Sequence, residues 1–346
     1  MRQSTGLARR AREEVMKTLL AFLLVIAAAW PGSAIAADPE LYKTDAGPHR
    51  VREAKLAWHD ESRARDIPVK IYAPRDADGA LPAIVVSHGL GGSREGLEYL
   101  GRHWASHGYL AVHVQHAGSD VRLWQGKPQA EGRRAMQRAA KDPQAALDRP
   151  QDVRFAIDQL LAGPLKVRSD SLSVDPIRLA VAGHSFGAFT ALASAGINFS
   201  PLGVSPTNYG DPRLVASIAL SATAFRNQRR GAFDTVRIPT LHMTGTDDRG
   251  AVVDTGPEER RNAYDRIRNA PKYLVILDGG DHAVFGGVRR GSSKSTDKRH
   301  WAVIRSTTTA FLDSIVNGDA SATAWMANQL PNIGAGVALI EQASPD

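Results

Sequence analysis

Residues 177–196 read IRLAVAGHSFGAFTALASAG, and they carry the clearest indication of the fold. The apolar run at residues 177–182 predicts a buried strand, and the residues from Phe186 onward have the composition of a helix. Between them stands the pattern G-x-S-x-G, with Ser185 at its centre. A sharp turn from strand to helix lifts the serine hydroxyl out of the sheet, and side chains two positions away would collide there, so both positions are glycine. The sequence therefore predicts a nucleophilic serine on an exposed elbow.

Apolar runs of the same kind recur along the chain and alternate with stretches of helical composition. Continuous apolar runs are typical of strands buried on both faces, and their alternation with helices indicates a parallel, doubly wound α/β sheet. Residues 49–58 and 67–72 instead alternate polar and apolar side chains, which predicts two antiparallel strands at the N-terminal side. The other predicted strands are residues 83–87, 109–114, 177–182, 215–220, 238–243 and 273–277, and the predicted helices are residues 95–107, 150–161, 186–196, 258–268 and 298–315.

Two segments fit this alternation less well. Residues 118–147 are polar and include an Arg- and Ala-rich helical stretch, which predicts an insertion over the top of the sheet. Residues 199–212, rich in Pro, Gly, Ser and Asn, predict an irregular loop, and loops at the carboxyl ends of parallel strands form the ligand crevice. The aromatic candidates for an acyl pocket, each as compatible with the core, are Trp124, Phe186, Phe189 and Phe285.

The pentapeptide GHSFG, placed between its strand and its helix, resembles the nucleophile elbow of the α/β-hydrolase superfamily. Together with residues 87–92, which read SHGLGG, it is similar to the branch of secreted platelet-activating-factor acetylhydrolases and dienelactone-hydrolase-like esterases. The resemblance covers roughly residues 50–330. It implies the α/β-hydrolase fold, a mostly parallel doubly wound sheet with antiparallel N-terminal strands. It also implies a serine esterase that needs no cofactor and no metal.

The glycine-rich residues 87–92 follow a predicted strand and are expected to form part of an oxyanion hole. Acyl transfer places negative charge on a carbonyl oxygen, and backbone N–H groups that face this oxygen supply the largest catalytic effect. One donor is expected at Phe186, directly after the nucleophile. The resemblance implies the N–H group of Leu90 as the second donor. His88 is expected to anchor the loop through side-chain hydrogen bonds rather than to act as a base.

The acid and the base are expected after Ser185 in the order Asp or Glu, then His. Residues 245–248 read GTDD after a predicted strand, and esterases of this type commonly show Gly-Thr-x-Asp there, which favours Asp248 over Asp247. Asp234 is the next candidate. In the animal acetylhydrolases the acid follows the preceding strand, but residues 219–223 contain no carboxylate here. His282 lies in a glycine-rich turn after the next strand and is the predicted base; the competitor, His300, begins a helix with no strand before it.

The N-terminal 36 residues predict a cleavable signal peptide. Residues 19–30 are an apolar run, basic residues precede it, and residues 34–36 read AIA, the small-x-small pattern of a cleavage site. This run has 12 residues, whereas a membrane span needs ~18 or more. We expect residues 1–36 to be removed, residues 1–15 to lie upstream of a true start at Met16, and residues 37–346 to form a single domain. The mature protein is then periplasmic or secreted and keeps no stable membrane span.

The net charge and the absence of cysteine exclude several classes of function. The 346-residue chain has 43 Lys and Arg against 36 Asp and Glu, a net charge of +7, of which residues 1–36 carry +3. The remaining +4 is too weak and scattered for a nucleic-acid interface. Cysteine is absent, which excludes disulfides, Cys-ligated metal sites and thiol nucleophiles. The expected partner is a small-molecule or lipid-like ester, and the alternatives are a serine peptidase or amide hydrolase of the same fold and a non-catalytic binding protein.

Overall fold

A mixed and mostly parallel sheet carries helices on both of its faces. The computed structural model describes residues 40–167, 170–200, 206–223, 225, 228–229, 231–250, 252–287, 295–334 and 336–345. All of these belong to one compact unit, Pro39–Asp346. The predicted signal peptide, residues 1–36, lies outside the described residues. Within the described residues, no helix combines the length and the apolar character that a bilayer span requires.

The strands of the described residues form one large sheet and one small hairpin. Their bounds are β1 (Val51–Asp60), β2 (Arg65–Pro74), β3 (Ala80–Ser87), β4 (Leu110–Val114), β5 (Leu165–Val167), β6 (Asp170–His184), β7 (Asn198–Phe199), β8 (Thr207–Asn208), β9 (Leu214–Leu220), β10 (Thr240–Asp247), β11 (Lys272–Asp281) and β12 (Val337–Ala343). The large sheet has the order β1-β2-β4-β3-β6-β9-β10-β11-β12, with β5 beside β6, and the hairpin pairs β7 with β8. Neighbours from β4 to β11 are parallel, while β1, β2 and β12 pair antiparallel. This confirms the predicted fold class.

The helices cover both faces of the sheet. Their bounds are α1 (Glu98–Ser106), α2 (Gln129–Ala139), α3 (Pro143–Leu161), α4 (Phe186–Ser194), α5 (Asn262–Arg266), α6 (His282–Phe285), α7 (Ser295–Ile315) and α8 (Ala320–Asn328). Successive residues of β3 point to opposite faces: Ile84 packs in a core cluster with Trp104 of α1, and Val85 packs in another with Ile157 of α3. Because both faces are covered, the central strands are continuous apolar runs.

Some elements differ from the sequence-based expectation. The helix predicted from residue 150 begins at Pro143, where Asp142 caps it by accepting a hydrogen bond from the N–H group of Gln144 at 2.9 Å. Pro150 is tolerated inside α3, although proline usually marks a helix start or a kink. The helix predicted at residues 258–268 is a 3₁₀ turn, Pro257–Arg261, followed by the short α5. The edge strand β12 was not predicted; its residues read VALIEQA, and four of the seven are exposed.

Candidate active site

The nucleophile elbow lies where β6 ends at His184 and α4 begins at Phe186. Ser185 between them has φ 57° and ψ −116°, a backbone conformation that strains any residue other than glycine. A Cβ atom on Gly183 would overlap the carbonyl oxygen of Gly187, so the turn closes only with glycine there. The predicted strand-to-helix turn is present, with Ser185 at its apex.

The imidazole of His282, which is distant from Ser185 in the sequence, contacts this serine. It is the first residue of α6, directly after β11, and the carboxylate of Asp281 caps this helix by accepting hydrogen bonds from two backbone N–H groups, each at 3.1 Å. His282 Nε2 lies 3.1 Å from Ser185 Oγ, which is hydrogen-bond distance. The structure therefore places the predicted base against the predicted nucleophile.

The carboxylate of Asp248 contacts Nδ1, the second nitrogen of the His282 imidazole. It follows β10, is fully buried, and its Oδ1 lies 2.9 Å from His282 Nδ1. Thr244 Oγ1 donates a hydrogen bond to Asp248 Oδ2 at 2.8 Å, and Arg260 Nε lies 3.2 Å from Oδ1. Burial raises the pKa of Asp248, but the hydrogen bond from His282 and the charge of Arg260 outweigh it, so the pKa lies below its ordinary value. Asp248 is accordingly a carboxylate at neutral pH.

The residues that the sequence left as alternatives lie outside this arrangement. Asp247 is exposed at the end of β10, and Asp234 is exposed as well. His300 is buried, and its Nε2 hydrogen-bonds to the carbonyl oxygen of Asp278 at 2.9 Å. The structure thus brings Ser185, His282 and Asp248 together.

The glycine-rich loop after β3 passes beside the elbow. A Cβ atom on Gly89 would stand 3.4 Å from the Cβ atom of Ser185, so the loop backbone approaches the nucleophile closely. In the part of the chain that the structure describes, the N–H groups of Leu90 and Phe186 have no hydrogen-bond acceptor. Both predicted oxyanion donors are therefore free to bind an oxygen atom of a ligand.

A comparison with known families finds one matching family model. The model of the PETase family, described as PET hydrolase-like, matches residues 38–301, a range that includes Ser185, Asp248 and His282. The chain belongs to the PET hydrolase-like family. It is a carboxylic ester hydrolase of the α/β-hydrolase superfamily, which confirms the predicted superfamily and enzyme class. A search of the curated proteins finds no match. The finer likeness to dienelactone hydrolases and acetylhydrolases stays a prediction.

A second Ser–His–Asp chain lies beneath the glycine-rich loop of this PET hydrolase-like enzyme. His116 Nε2 is 2.8 Å from Ser87 Oγ, and His116 Nδ1 is 2.9 Å from Asp152 Oδ2. All three residues are fully buried, so no substrate can reach Ser87. Burial lowers the pKa of His116 to about 4, which leaves the ring neutral above that pH. This series of hydrogen bonds therefore fixes the start of the glycine-rich loop.

Arg149 of α3, which the sequence did not single out, supports the same loop. Its guanidinium is fully buried, and Nη1 donates a hydrogen bond to the carbonyl oxygen of His88 at 2.7 Å. The guanidinium carbon also lies 4.2 Å from the centre of the Phe186 ring. His88 itself bonds the loop, with Nδ1 2.6 Å from the Gly89 carbonyl oxygen and Nε2 accepting from the N–H group of His116 at 3.1 Å. The predicted anchoring role of His88 is confirmed.

His184, the second residue of the GHSFG motif, contacts His282. Its ring centre lies 4.7 Å from that of His282, and its Nε2 is 3.0 Å from the backbone carbonyl oxygen of His282. Removal of the ring from water and the neighbouring His282 lower the pKa of His184 to about 3, so the ring is neutral. It therefore donates through Nε2–H to the backbone carbonyl oxygen of His282.

One of the four aromatic candidates for the acyl pocket is well exposed near the site. Trp124 is 46% exposed, and its Nε1 donates a hydrogen bond to the carbonyl oxygen of Gly91 at 2.7 Å. The predicted insertion thus contacts the glycine-rich loop. Phe285 is fully buried in the core, which is the second of the two roles that the sequence left open for it, and Phe189 is buried against Phe199 at 5.0 Å between ring centres. The described residues contain no cluster of three or more side chains suited to hold a metal ion.

Proposed function

We propose that this enzyme hydrolyses carboxylic esters through an acyl-enzyme on Ser185, with His282 as general base and acid and Asp248 as its partner. The observation that carries the proposal is the continuous chain from Ser185 Oγ to His282 Nε2 at 3.1 Å and from His282 Nδ1 to Asp248 Oδ1 at 2.9 Å. The tautomer with hydrogen on Nδ1 leaves Nε2 free to accept a proton. The buried carboxylate of Asp248 favours this tautomer.

Acylation begins when Ser185 Oγ attacks the ester carbonyl carbon and its proton moves to His282 Nε2. The carbonyl oxygen becomes an oxyanion, which the N–H groups of Leu90 and Phe186 bind. The imidazolium then gives its proton to the leaving alkoxide as the carbon–oxygen bond breaks, and the alcohol departs. Asp248 stabilises the imidazolium through Nδ1 during this step.

Deacylation repeats the same steps with water as the nucleophile. Water gives a proton to His282 Nε2 while its oxygen attacks the acyl carbon, and the second oxyanion occupies the same two N–H groups. Collapse of this intermediate releases the carboxylic acid and returns the proton to Ser185 Oγ. The two steps together consume one ester and one water molecule, and they leave the side chains of the enzyme as they were at the start.

The substrates we propose are small or lipid-like carboxylic esters. The family description adds the polyester PET to the esters to be tested. Trp124, exposed beside the Gly91 carbonyl oxygen, offers an aromatic surface next to the loop that would bind the oxyanion. We also propose that residues 1–36 are a removed signal peptide and that the mature single domain acts in the periplasm or outside the cell, because the leader has the basic, apolar and small-residue pattern of exported proteins.

The test compares p-nitrophenyl esters of increasing acyl length with the matching p-nitroanilides and with a soluble PET fragment. We expect ester hydrolysis by the wild type and a loss of kcat of up to about 10⁶ in Ser185→Ala. Ser194→Ala, on the same helix α4 and buried, is the matched control and should keep wild-type kcat. Faster cleavage of the anilides would favour the amide hydrolase, and no turnover of any compound would favour a binding protein.

A further inference from the structure

The imidazole nitrogen of His282 that faces away from the nucleophile has two neighbours. Nδ1 lies 2.9 Å from Asp248 Oδ1 and 2.7 Å from Ser221 Oγ. The Ser221 hydroxyl in turn donates a hydrogen bond to Asp248 Oδ1 at 2.9 Å. Since the Ser221 proton points to the carboxylate, its oxygen is free to accept from Nδ1–H. The three side chains form a closed triangle around one proton of His282.

The backbone of Ser221 is built to aim this hydroxyl. Ser221 follows β9, is fully buried, and has φ 52°, in the left-handed region that strains a serine. Its N–H group donates to the Met243 carbonyl oxygen at 2.7 Å. The carbonyl oxygen of Ser221 accepts from Arg260 Nη1 at 3.1 Å, and the same guanidinium contacts Asp248. A strained residue held on both sides of its backbone indicates that the direction of its side chain matters.

We propose that Ser221 is a positioning residue for ester hydrolysis, whose hydroxyl gives the Nδ1–H group of His282 a second acceptor and locks the imidazole to Asp248. This inference rests on the proposed function of Ser185, His282 and Asp248. Ser221 does not contact the reacting atoms, because it lies on the opposite side of the imidazole from Ser185.

The benefit of this contact arises mainly in the transition state. The Nδ1–H group is a stronger donor when the ring becomes an imidazolium, because hydrogen bonds from charged donors are stronger than neutral ones. Ser221 and Asp248 are both fully buried, so water does not replace a lost acceptor. Removal of the Ser221 hydroxyl should therefore lower kcat and kcat/KM by the same factor and leave KM unchanged.

A purely structural role predicts something different. Thr244 Oγ1 also donates to this buried carboxylate, at Oδ2. A hydroxyl whose only role is to satisfy the carboxylate would be expected to change stability without affecting turnover by the folded enzyme. Ser217 provides a matched control, since it is a buried serine on β9 whose hydroxyl has no partner in the described part of the chain. Loss of this hydroxyl should leave kcat unchanged.

The first experiment compares Ser221→Ala with Ser217→Ala. Ester kinetics are measured with active sites counted by fluorophosphonate titration, so that only folded enzyme enters kcat. We expect Ser221→Ala to lose roughly 3- to 10-fold in kcat, the effect of one hydrogen bond, at constant KM. Equal kcat in the two variants would overturn the proposal, whatever their melting temperatures.

The second experiment moves the carboxylate to the proposed position. Aspartate tolerates a left-handed backbone better than most residues, so Ser221→Asp can be accommodated where φ is 52°. We expect the double variant Ser221→Asp/Asp248→Ser to be about tenfold more active than Asp248→Ser alone, a part of the ~10⁴ that loss of the acid costs. A folded double variant that is no more active than Asp248→Ser would contradict the proposal that the side chain at position 221 contacts Nδ1.

The failure of this inference differs from the failure of the proposed function. If Ser185→Ala kept wild-type activity, the catalytic assignment itself would be wrong and Ser221 would have nothing to position. If Ser185→Ala were inactive while Ser221→Ala behaved like Ser217→Ala, only the role of Ser221 would be refuted.

Discussion

The guanidinium of Arg149 donates a hydrogen bond of 2.7 Å to the carbonyl oxygen of His88, and both residues are buried. The same group lies over the ring of Phe186 at 4.2 Å. One buried cation therefore contacts both segments whose N–H groups we assign to the oxyanion hole, the glycine-rich loop and the start of α4.

Arg149→Lys should weaken both the fold and catalysis. Lysine keeps the charge but loses the planar fork that bonds several acceptors at once. We expect the free energy of unfolding to fall by about 1.5–3 kcal/mol, as for lost hydrogen bonds to a charged group, and kcat to fall at nearly constant KM. Urea unfolding and ester kinetics measure the two effects. Arg154→Lys, on the exposed side of α3, is the control; identical behaviour of the two variants would refute this role.

Replacement by asparagine should have a large effect at Asp248 and a small one at the neighbouring Asp247. Asp248→Asn removes a buried charge that contacts His282 and Arg260, so we expect kcat to fall by about 10⁴ and the melting temperature to fall as well. Asp247 is exposed, and Asp247→Asn should change stability by less than about 0.5 kcal/mol. Ester kinetics and thermal melts measure the two effects. A large loss of kcat in Asp247→Asn alone would show that Asp247, and not Asp248, is the partner of His282.

Trp124 should contribute to the binding of aromatic esters. Its exposed indole adjoins the glycine-rich loop through the hydrogen bond to Gly91. We expect Trp124→Ala to raise KM for aromatic esters about 2- to 10-fold, as for loss of one aromatic contact, with a smaller effect on acetate esters. Trp124→Phe separates the ring from its N–H group, and Leu339→Ala, exposed on β12, is the control. Equal KM for Trp124→Ala and wild type would contradict the assignment.

Buried histidines should make the protein less stable in mild acid. Burial lowers the pKa of His242 to about 3, and the pKa values of His88, His103, His113 and His116 are also lowered by burial. An unfolded chain protonates these rings near pH ~6.5. Below that pH the unfolded state binds more protons, so the free energy of unfolding falls as pH falls.

Replacement of one such histidine tests this linkage. His242→Gln should make the decline between pH 6.5 and 4 shallower by up to about 1.4 kcal/mol per pH unit, measured by urea unfolding at several pH values. His59 is the control, because its hydrogen bond to Asp66 raises its pKa, and His59→Gln should not make the slope shallower. An unchanged slope in His242→Gln would show that this ring is protonated in the folded protein.

The sequence predicted the parts of the site that depend on local pattern. Ser185 lies between an apolar strand and a helix and has a glycine two positions away on either side. His282 follows a strand in a glycine-rich turn. The preference for Asp248 over Asp247 agrees with burial, because Asp248 is buried and Asp247 is exposed. These features arise from residues close together in the chain.

The supporting contacts could not be predicted in the same way. Ser221 meets His282 across 61 residues of chain, and Arg149 meets His88 across 61 residues as well. Such contacts depend on which strands are neighbours and on their register, here β9 between β6 and β10. No local pattern distinguishes Ser221 from an ordinary serine at a strand end, and Arg149 before Pro150 looks like a surface residue at a helix start.

Covalent labelling determines whether Ser185 is the nucleophile that His282 activates. The mature enzyme is treated with a fluorophosphonate, and intact mass and peptide mapping locate the adduct. We expect one adduct per chain on the peptide that contains Ser185, none in Ser185→Ala, and strongly slowed labelling in His282→Ala. An adduct on another residue, or labelling of Ser185→Ala at the wild-type rate, would show that Ser185 is not the nucleophile.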